Sequence, residues 1–379
     1  MVFSGLLDLQ NSTQTIGTLT MGNGPLASTS AIALNSGVLN LGGNVTYTGS
    51  TTSGTAMVAG GTLNLLGNRT FTVNDSTQTA DEMVINAVIA DGDLSARTVT
   101  KAGTGSLAFG GANSYTGTTT LSAGILRLTH NQALGSTVAG TQVSGDAAGT
   151  GTLELANNIT VTGETLTIGG RLGASLDISH LRNASGDNTW AGAVNFITGG
   201  TGTTYNIESA AGLLTISGQI SGSTTTGARN LRLRGAADGV VSGNIVNGSA
   251  VVSLTKEGAG HWTLSGANTY TGATVINQGI LTINGAQTGG GAVTVGSTTT
   301  TDPATLNGAG SISGPLTVNS TGTFSAGSSV NGDGGHGVGT FTVNSATNSA
   351  WNSGAALSSI SRRRIPTQVL RPTPPLGTT

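Results

Sequence analysis

Short runs of alternating apolar and polar residues recur along the whole chain. Residues 61–67 read GTLNLLG, residues 70–74 read TFTVN and residues 315–319 read PLTVN. Alternation with a period of two, bounded by Gly, Asn, Asp or Ser, is typical of short half-buried β-strands. No segment sustains an apolar period of 3.6 residues, so the pattern predicts an all-β chain with few helices.

One strand-rich segment occurs twice. Residues 100–128 read TKAGTGSLAFGGANSYTGTTTLSAGILRL, and residues 255–283 read TKEGAGHWTLSGANTYTGATVINQGILTI. The two segments align without a gap, and about half of their positions are identical. Repeated units of short strands and glycine-rich turns are typical of solenoids, in which each unit buries its apolar face against its neighbours.

These segments resemble the passenger-associated transport repeat, also called the autotransporter-associated β-strand repeat. The usual form of that repeat is L-x-K-x-G-x-G-x-L-x-L-x-G-x-N-x-Y-x-G-x-T-x-x-x-x-G-x-L. Residues 254–281 fit it with Trp262 where Leu is common, and residues 99–126 fit it with Val99 where Leu is usual. The resemblance implies a β-helical passenger of a bacterial autotransporter.

Many short strands can form a sandwich, a barrel or a β-helix, and three observations favour the β-helix. The strands look shorter than the roughly five or six residues usual in a globular sheet. The chain also repeats itself, and it has few large side chains to fill a thick core. We therefore predict a right-handed, single-stranded parallel β-helix, with the handedness taken from the resemblance and from the preference of parallel crossovers.

Composition narrows the range of partners. Of the 379 residues, 63 are Gly, none is Cys and only 8% are charged, with a formal net charge of −2. This near-neutral balance argues against a nucleic-acid partner, and the lack of Cys excludes disulfides and thiolate metal sites. We see no apolar run of the roughly 18 residues that a membrane helix needs, and no signal peptide at the start of this sequence.

The end of the chain differs from the rest. Residues 361–379 read SRRRIPTQVLRPTPPLGTT and contain four of the seven prolines, which cannot donate to a strand ladder. We predict β-helical passenger-type repeats over residues 1–345 and an irregular or disordered tail over residues 346–379, as a frameshifted or truncated end would produce.

Few residues suggest chemistry. The densest acidic group is Asp81, Glu82, Asp91 and Asp93, which would suit a Ca²⁺ site of the kind that β-helical polysaccharide lyases use; solvated turns are the simpler interpretation. Residues 331–337 read NGDGGHG and faintly match a calcium-binding nonapeptide, but they occur once. The histidines have no metal-ligand spacing, and we expect the one at 261 to face outward; they are His130, His180, His261 and His336.

The Asn–Tyr pairs of the two copies are the remaining candidates. Tyr115 and Tyr270 recur at matching positions, each two residues after Asn113 or Asn268. They would form either a ligand-contacting stripe or a structural stack with a turn set by Asn, and we favour the structural interpretation. We therefore predict no catalytic, cofactor-binding or metal-binding residue, and no cofactor.

The sequence favours a structural function. We expect a stalk or passenger segment of a surface-exposed or secreted bacterial autotransporter-like protein, not an enzyme, that adheres to a surface ligand or a host or cell-surface glycan. The resemblance places an outer-membrane barrel elsewhere and the segment itself outside the cell. The alternative is a polysaccharide-active β-helix enzyme, and a filament-forming protein is a third option; fold alone does not decide among them.

Overall fold

The computed structural model describes residues 2–3, 5–22, 30–49, 54–76, 81–145, 150–172, 177–197, 202–327 and 339–357. Within these ranges the chain is made of strands, turns and bends, and no segment is helical. It forms two compact units, Met1–Gly218 and Gln219–Thr379. The all-β prediction is confirmed for the described residues.

The first unit contains mostly short strands separated by turns, with two longer ones, β5 of 11 residues and β7 of 10. Its strands are β1 (Val2–Phe3), β2 (Leu6–Asp8), β3 (Thr13–Ile16), β4 (Leu19–Met21), β5 (Ala31–Leu41), β6 (Val45–Tyr47), β7 (Ala56–Leu65), β8 (Arg69–Val73), β9 (Met83–Ile85), β10 (Val88–Asp91), β11 (Val99–Ala102), β12 (Ser106–Phe109), β13 (Thr119–Leu121), β14 (Gly124–Leu128), β15 (Thr141–Val143), β16 (Gly151–Leu155), β17 (Thr160–Val161), β18 (Leu166–Gly169), β19 (Leu181–Asn183), β20 (Asn188–Trp190), β21 (Val194–Ile197), β22 (Thr204–Ser209) and β23 (Leu213–Ile216).

The second unit has the same texture. Its strands are β24 (Ile220–Arg234), β25 (Asp238–Val241), β26 (Ile245–Lys256), β27 (His261–Leu264), β28 (Thr274–Ile276), β29 (Gly279–Ile283), β30 (Ala286–Gln287), β31 (Val293–Val295), β32 (Ala304–Gly308), β33 (Ser311–Ile312), β34 (Leu316–Val318), β35 (Gly322–Ala326), β36 (Thr342–Val343), β37 (Ala350–Trp351) and β38 (Ala356–Leu357).

Strands of the first unit pair in parallel with strands about one turn away in sequence. On one face β8 pairs with β11, β11 with β13 and β13 with β15. On the next face β9 pairs with β12, β12 with β14 and β14 with β16. A chain that returns repeatedly to the same sheets in the same direction is a parallel β-solenoid, so this part of the prediction is confirmed.

The second unit is built in the same way. One of its faces carries the parallel series β26, β28, β31 and β34, and another carries β25, β27, β29, β32 and β35. The right-handed sense of the coil and the tail over residues 346–379 stay predictions, and residues 358–379 lie outside the described residues.

The length of one turn varies, and the register shifts within the long pairs β5–β7 and β24–β26 but not within β8–β11 or β11–β13. Val99 pairs with Thr119, 20 residues later, whereas Arg69 pairs with Val99, 30 residues later. In this series the extra residues lie at the corners between strands, because these paired strands keep their one-to-one register. Corners are therefore where the sequence is free to differ.

The interior is a column of apolar side chains. Leu107, Phe109 and Trp262 have no exposed surface and Leu264 has 1%, so all four side chains face inward. Thr263, between two of them, is partly exposed as alternation requires. Inward residues stack on the inward residues of the paired strands, and this stacking gives the solenoid its core.

Candidate functional site

The lysine that recurs in both copies is inside the molecule. Lys101 occupies an inward-facing position on β11 and has no exposed surface. Its ammonium donates to the carbonyl oxygens of Ala102 and Gly103 at 2.9 Å and of Ala123 at 3.1 Å. The first two acceptors lie in the turn after the lysine, and the third lies in the equivalent turn of the next coil. The side chain therefore ties two successive turns together.

The second copy repeats these contacts atom for atom. Lys256 is fully buried, and its ammonium donates to the carbonyl oxygens of Glu257 at 2.9 Å, Gly258 at 2.7 Å and Gln278 at 3.0 Å. An ammonium has three hydrogens to donate, and in each copy all three have a carbonyl acceptor. The lysine of the motif is thus a turn clamp and not a surface charge.

Burial changes the protonation of both lysines. It lowers the pKa of Lys101 to about 7 and that of Lys256 to about 8. The nearby charges of Glu82 and Glu257 act in the opposite direction and raise the pKa of their lysine, but burial has the larger effect. Because these pKa values lie below the pKa of lysine in an unfolded chain, the unfolded state binds more protons than the folded state at any pH between the folded and the unfolded pKa. The contribution of these groups to stability therefore rises as pH rises above about 7 or 8.

We predict that Lys256→Met destabilises the protein, by an amount that grows with pH. Near pH 10 the folded lysine is a neutral amine with two hydrogens, so the variant loses up to two donated hydrogen bonds to the three carbonyl oxygens, a loss of about 1–3 kcal/mol. At lower pH the wild-type lysine is protonated and its burial is unfavourable, so its replacement by methionine offsets part of that loss. Chemical unfolding between pH 7 and pH 10 measures it. Thr255→Ala, the outward neighbour, is the control and should keep the wild-type pH profile.

The Asn–Tyr pairs are also buried, so they do not form a ligand-contacting stripe. The hydroxyl of Tyr115 lies 2.5 Å from Oγ1 of Thr119, and that of Tyr270 lies 2.6 Å from Oγ1 of Thr274. Neither tyrosine has exposed surface. The hydroxyl partner lies four residues after each tyrosine, on the following strand, so both hydroxyls are bonded inside the molecule.

Each asparagine connects neighbouring coils. Asn113 accepts a hydrogen bond from the backbone of Ile89 at 2.8 Å and donates to the carbonyl of Ala133 at 2.6 Å. Asn268 accepts from the backbone of Ile245 at 2.9 Å. Buried backbone groups at a corner need partners, and the amide supplies them where the strand ladder is interrupted.

The acidic group of the sequence separates into two pairs with different structural roles. Asp81 accepts a hydrogen bond from Ser106 Oγ at 2.7 Å, and the buried Glu82 accepts one from the Ser106 backbone at 2.6 Å. Among the described residues, no group of three or more His, Cys, Asp or Glu side chains is arranged to hold a metal ion.

The other acidic pair braces a corner loop. Asp91 accepts hydrogen bonds from the backbones of Arg97 at 3.0 Å and Thr116 at 3.1 Å, and Asp93 forms an ion pair with Arg97. That contact with Arg97 lowers the pKa of Asp93. The loop over residues 92–98 is longer than the three-residue corner over residues 66–68 of the previous coil, and its tip residue Leu94 is fully exposed.

The described histidines do not converge. His180 is buried between the Gly169 carbonyl at 2.6 Å and the Asn206 backbone N–H at 3.0 Å, and burial lowers its pKa to about 3. His261 faces outward as predicted and contacts the Thr282 hydroxyl at 2.6 Å. His130 accepts a hydrogen bond from a nearby backbone N–H. His336 and the whole 331–337 segment lie outside the described residues.

The structure contains a buried carboxyl group that the sequence analysis did not predict. Glu164 is 2% exposed, and its Oε1 accepts a hydrogen bond from Thr141 Oγ1 at 2.7 Å. Its Oε2 has no hydrogen-bond partner among the described atoms. Burial raises the pKa of Glu164 to about 7, and its charge in turn helps to raise the pKa of the buried Tyr115.

We predict that Glu164→Gln removes a pH dependence of stability. Because the folded pKa lies above the ordinary value of 4.5, the folded state binds more protons than the unfolded state between pH 4.5 and about 7. The wild-type free energy of unfolding should therefore fall as pH rises from 4.5 to about 7, while that of the variant should fall less. Urea unfolding at several pH values measures the two slopes, and parallel slopes would contradict the assignment.

A ladder of alternating charges on the outer face of the first unit was also missed. Arg127 is in register with Glu154, Glu154 with Arg182 and Arg182 with Glu208, on the strands β14, β16, β19 and β22. Each of these charged residues follows an inward Leu or Ile, at positions 126, 153, 181 and 207. That shared local pattern is the signal by which the sequence could have shown the ladder.

The ladder is connected by ion pairs. Arg127 lies 2.9 Å from Glu154 and Arg182 lies 2.5 Å from the same carboxylate, while the Arg182–Glu208 distance is 3.7 Å. Arg127 also reaches Asp81 at 2.7 Å. Since Asp81 lies two residues before β9, Arg127 extends across the intervening strand β12, and this explains why the outward Ala108 is only 3% exposed.

A family profile described as the passenger-associated-transport-repeat matches residues 99–128 and 254–283. The chain therefore carries two passenger-associated-transport repeats. In each repeat the lysine and its three acceptors, and the tyrosine with its threonine, lie inside the matched segment. The repeat is long enough to contain both of the turns that its lysine joins.

The chain is also similar to a curated protein. It is 33% identical over 89 residues to the adhesin BmaC autotransporter of Brucella suis biovar 1 (strain 1330), a stretch that covers 24% of this chain and 3% of that protein. The chain thus spans only a small part of the length of this relative. No solved structure matches. Within the described residues, no helix is long and apolar enough to span a bilayer.

Proposed function

We propose that this chain is a stalk segment of the passenger of a bacterial autotransporter-like surface protein, and that it acts without catalysis. The observation that carries the proposal is the closed hydrogen-bond set of each passenger-associated-transport repeat. Such a unit brings its own lysine clamp, buried tyrosine and turn glycines. It can therefore form over one or two turns, without contacts to distant sequence.

Local closure suits a chain that crosses membranes unfolded and folds outside. Repeat proteins nucleate at one stable unit and extend to neighbouring units, because each unit contacts only its neighbours. The lack of Cys also suits such a chain, because no disulfide has to be kept open during export. We accordingly place the segment at the cell surface or in the medium, with an outer-membrane barrel elsewhere as its anchor.

Adhesion is the activity that we propose for the complete protein, with a surface ligand or a host or cell-surface glycan as partner. Support comes from the similarity to an adhesin autotransporter. All four tyrosines and the tryptophans at 190 and 262 are buried, so these rings offer no stacking platform for a sugar. Apart from the partly exposed Trp351, a glycan bound to the described residues would therefore contact mainly Ser, Thr, Asn and backbone groups.

The export proposal is tested by placing the chain between a Sec signal peptide and the β-barrel of a bacterial autotransporter. We expect protease-accessible display on the cell surface, with less display for the double variant Lys101→Met and Lys256→Met. The matched control is the pair of outward neighbours, Thr100→Ala and Thr255→Ala, which should display like wild type. Equal display of the wild type and both double variants would remove the proposed role of the clamps, and no display at all would contradict export.

The non-enzymatic part is tested separately with the purified chain. We expect no turnover of acidic polysaccharides with or without Ca²⁺. Turnover that disappears in the variant Asp91→Ala and Asp93→Ala would contradict this part of the proposal and favour a polysaccharide lyase.

A further inference from the structure

An uncharged array of threonines lies on the outer surface of the first unit. Six threonines are in register on neighbouring strands and form two rows; they are Thr20, Thr46 and Thr72 on β4, β6 and β8, and Thr70, Thr100 and Thr120 on β8, β11 and β13. We call these six residues the threonine array. All of them are partly exposed, and none of their hydroxyl groups has a hydrogen-bond partner among the described residues.

The backbone that carries the array is held by buried side chains and by asparagines. Phe71 lies between the two threonines of β8 and has no exposed surface. Asn44 accepts a hydrogen bond from the backbone of Thr70, and Asn68 accepts one from the backbone of Thr98, at 3.0 Å each. Threonine is branched at Cβ, which restricts its χ1 angle. The array therefore presents its methyl and hydroxyl groups in a preorganised arrangement, and this lowers the entropic cost of binding.

The array has two regular spacings. Neighbouring strands lie about 4.8 Å apart, and residues two apart on one strand lie about 6.6 Å apart. The prism face of hexagonal ice repeats in two perpendicular directions at distances close to these. The second row is continued on β15 and β18 by Gln142 and Thr167, which are also uncharged. Since no charge lies in these rows, no ionic group there imposes a hydration shell that differs from the order of ice.

We propose that the threonine array binds the prism face of ice. The hydroxyl groups bond water molecules of the lattice, and the methyl groups lie in the depressions between those waters. A crystalline neutral polysaccharide also has a regular, uncharged surface, but the array contains no aromatic ring on which a sugar could stack. Ice binding does not rest on export or on adhesion to a host, so its failure would leave the proposed function unchanged.

The test is slow growth of ice on a cold finger in a dilute solution of the purified full chain, with serum albumin added as a reference that growing ice excludes. The protein concentration is then measured in the ice and in the remaining liquid. We expect the wild-type chain to enter the ice. Thr100→Lys places a long charged side chain in the middle of the array and should lower the concentration in the ice at least about fivefold, because a few central contacts carry most of the binding energy.

The matched control is Thr294→Lys, the same change at a partly exposed threonine of β31, whose register neighbours are Val275 and Thr317. It should enter the ice like the wild type. Circular dichroism shows whether each variant is folded, and Thr120→Lys replaces Thr100→Lys if that variant does not fold.

Three outcomes overturn the proposal. The first is a wild-type chain that the ice excludes as it excludes albumin, including a chain that instead sediments with crystalline cellulose. The second is a folded array variant that enters the ice like the wild type. The third is a control variant that loses as much incorporation as the array variant, because the array would then not be the surface that binds.

Discussion

Replacing Gly279 with Ala should be one of the most destabilising single substitutions in the chain, at roughly 3–5 kcal/mol. Gly279 has a φ of +73°, and an added methyl group would overlap the carbonyl oxygen of Gly258. The same methyl would lie 2.7 Å from the carbonyl oxygen of Gly260 and 2.8 Å from Nζ of Lys256. The Gly258 oxygen and the Lys256 ammonium belong to the lysine clamp, so the neighbouring turn cannot move away without breaking it.

A second glycine separates backbone strain from this close approach. Gly290 has a φ of +79°, but a methyl group there would meet nothing within 4 Å. Gly290→Ala should therefore cost only the left-handed strain, about 1–2 kcal/mol. Thermal or urea unfolding compares the two variants. Equal losses would mean that the turn of Gly279 does not depend on close contact with the turn before it.

Truncation of Leu264 to Ala should destabilise the second unit by about 2–5 kcal/mol. Leu264 is 1% exposed and stacks between Val241 and Ile283, its register partners on the adjacent strands. Urea unfolding followed by circular dichroism gives the loss of stability.

The outward neighbour provides the matched comparison. Thr263→Ala shortens an outward-facing side chain on the same strand, and its stability should stay within about 0.5 kcal/mol of that of the wild type. If Leu264→Ala also stays within that range, the inward assignment of the strand is wrong, despite its burial.

The fold followed from the sequence because a solenoid is a local structure. Alternation in 61–67 or 315–319 already indicates which residues face inward, and the gapless repeat indicates that strands return to equivalent places. What alternation cannot show is what covers an outward residue. Ala108 is nearly buried because Arg127 from the next strand extends over it, a contact between side chains 19 residues apart.

The roles within the repeat were harder to predict for the same reason. A lysine in a strand ordinarily suggests an exposed charge, and only the structure shows that Lys101 points inward to three carbonyls. The charge ladder needed the register of four strands, and turn lengths that vary from coil to coil hide that register from the sequence. The acidic group suggested one common site, but its two pairs lie at separate corners although they are close in sequence.

The braced corner over residues 92–98 bears on how this chain can be altered. The coils before and after it stay in register, since β8 pairs with β11 and β11 with β13 without a slip. Its ends are held by Asp91 and Arg97, while Leu94 at the tip has no burial to lose. A foreign peptide grafted at Leu94 should therefore be carried on the side of the solenoid without unfolding it, which makes this corner an acceptor site for displayed epitopes.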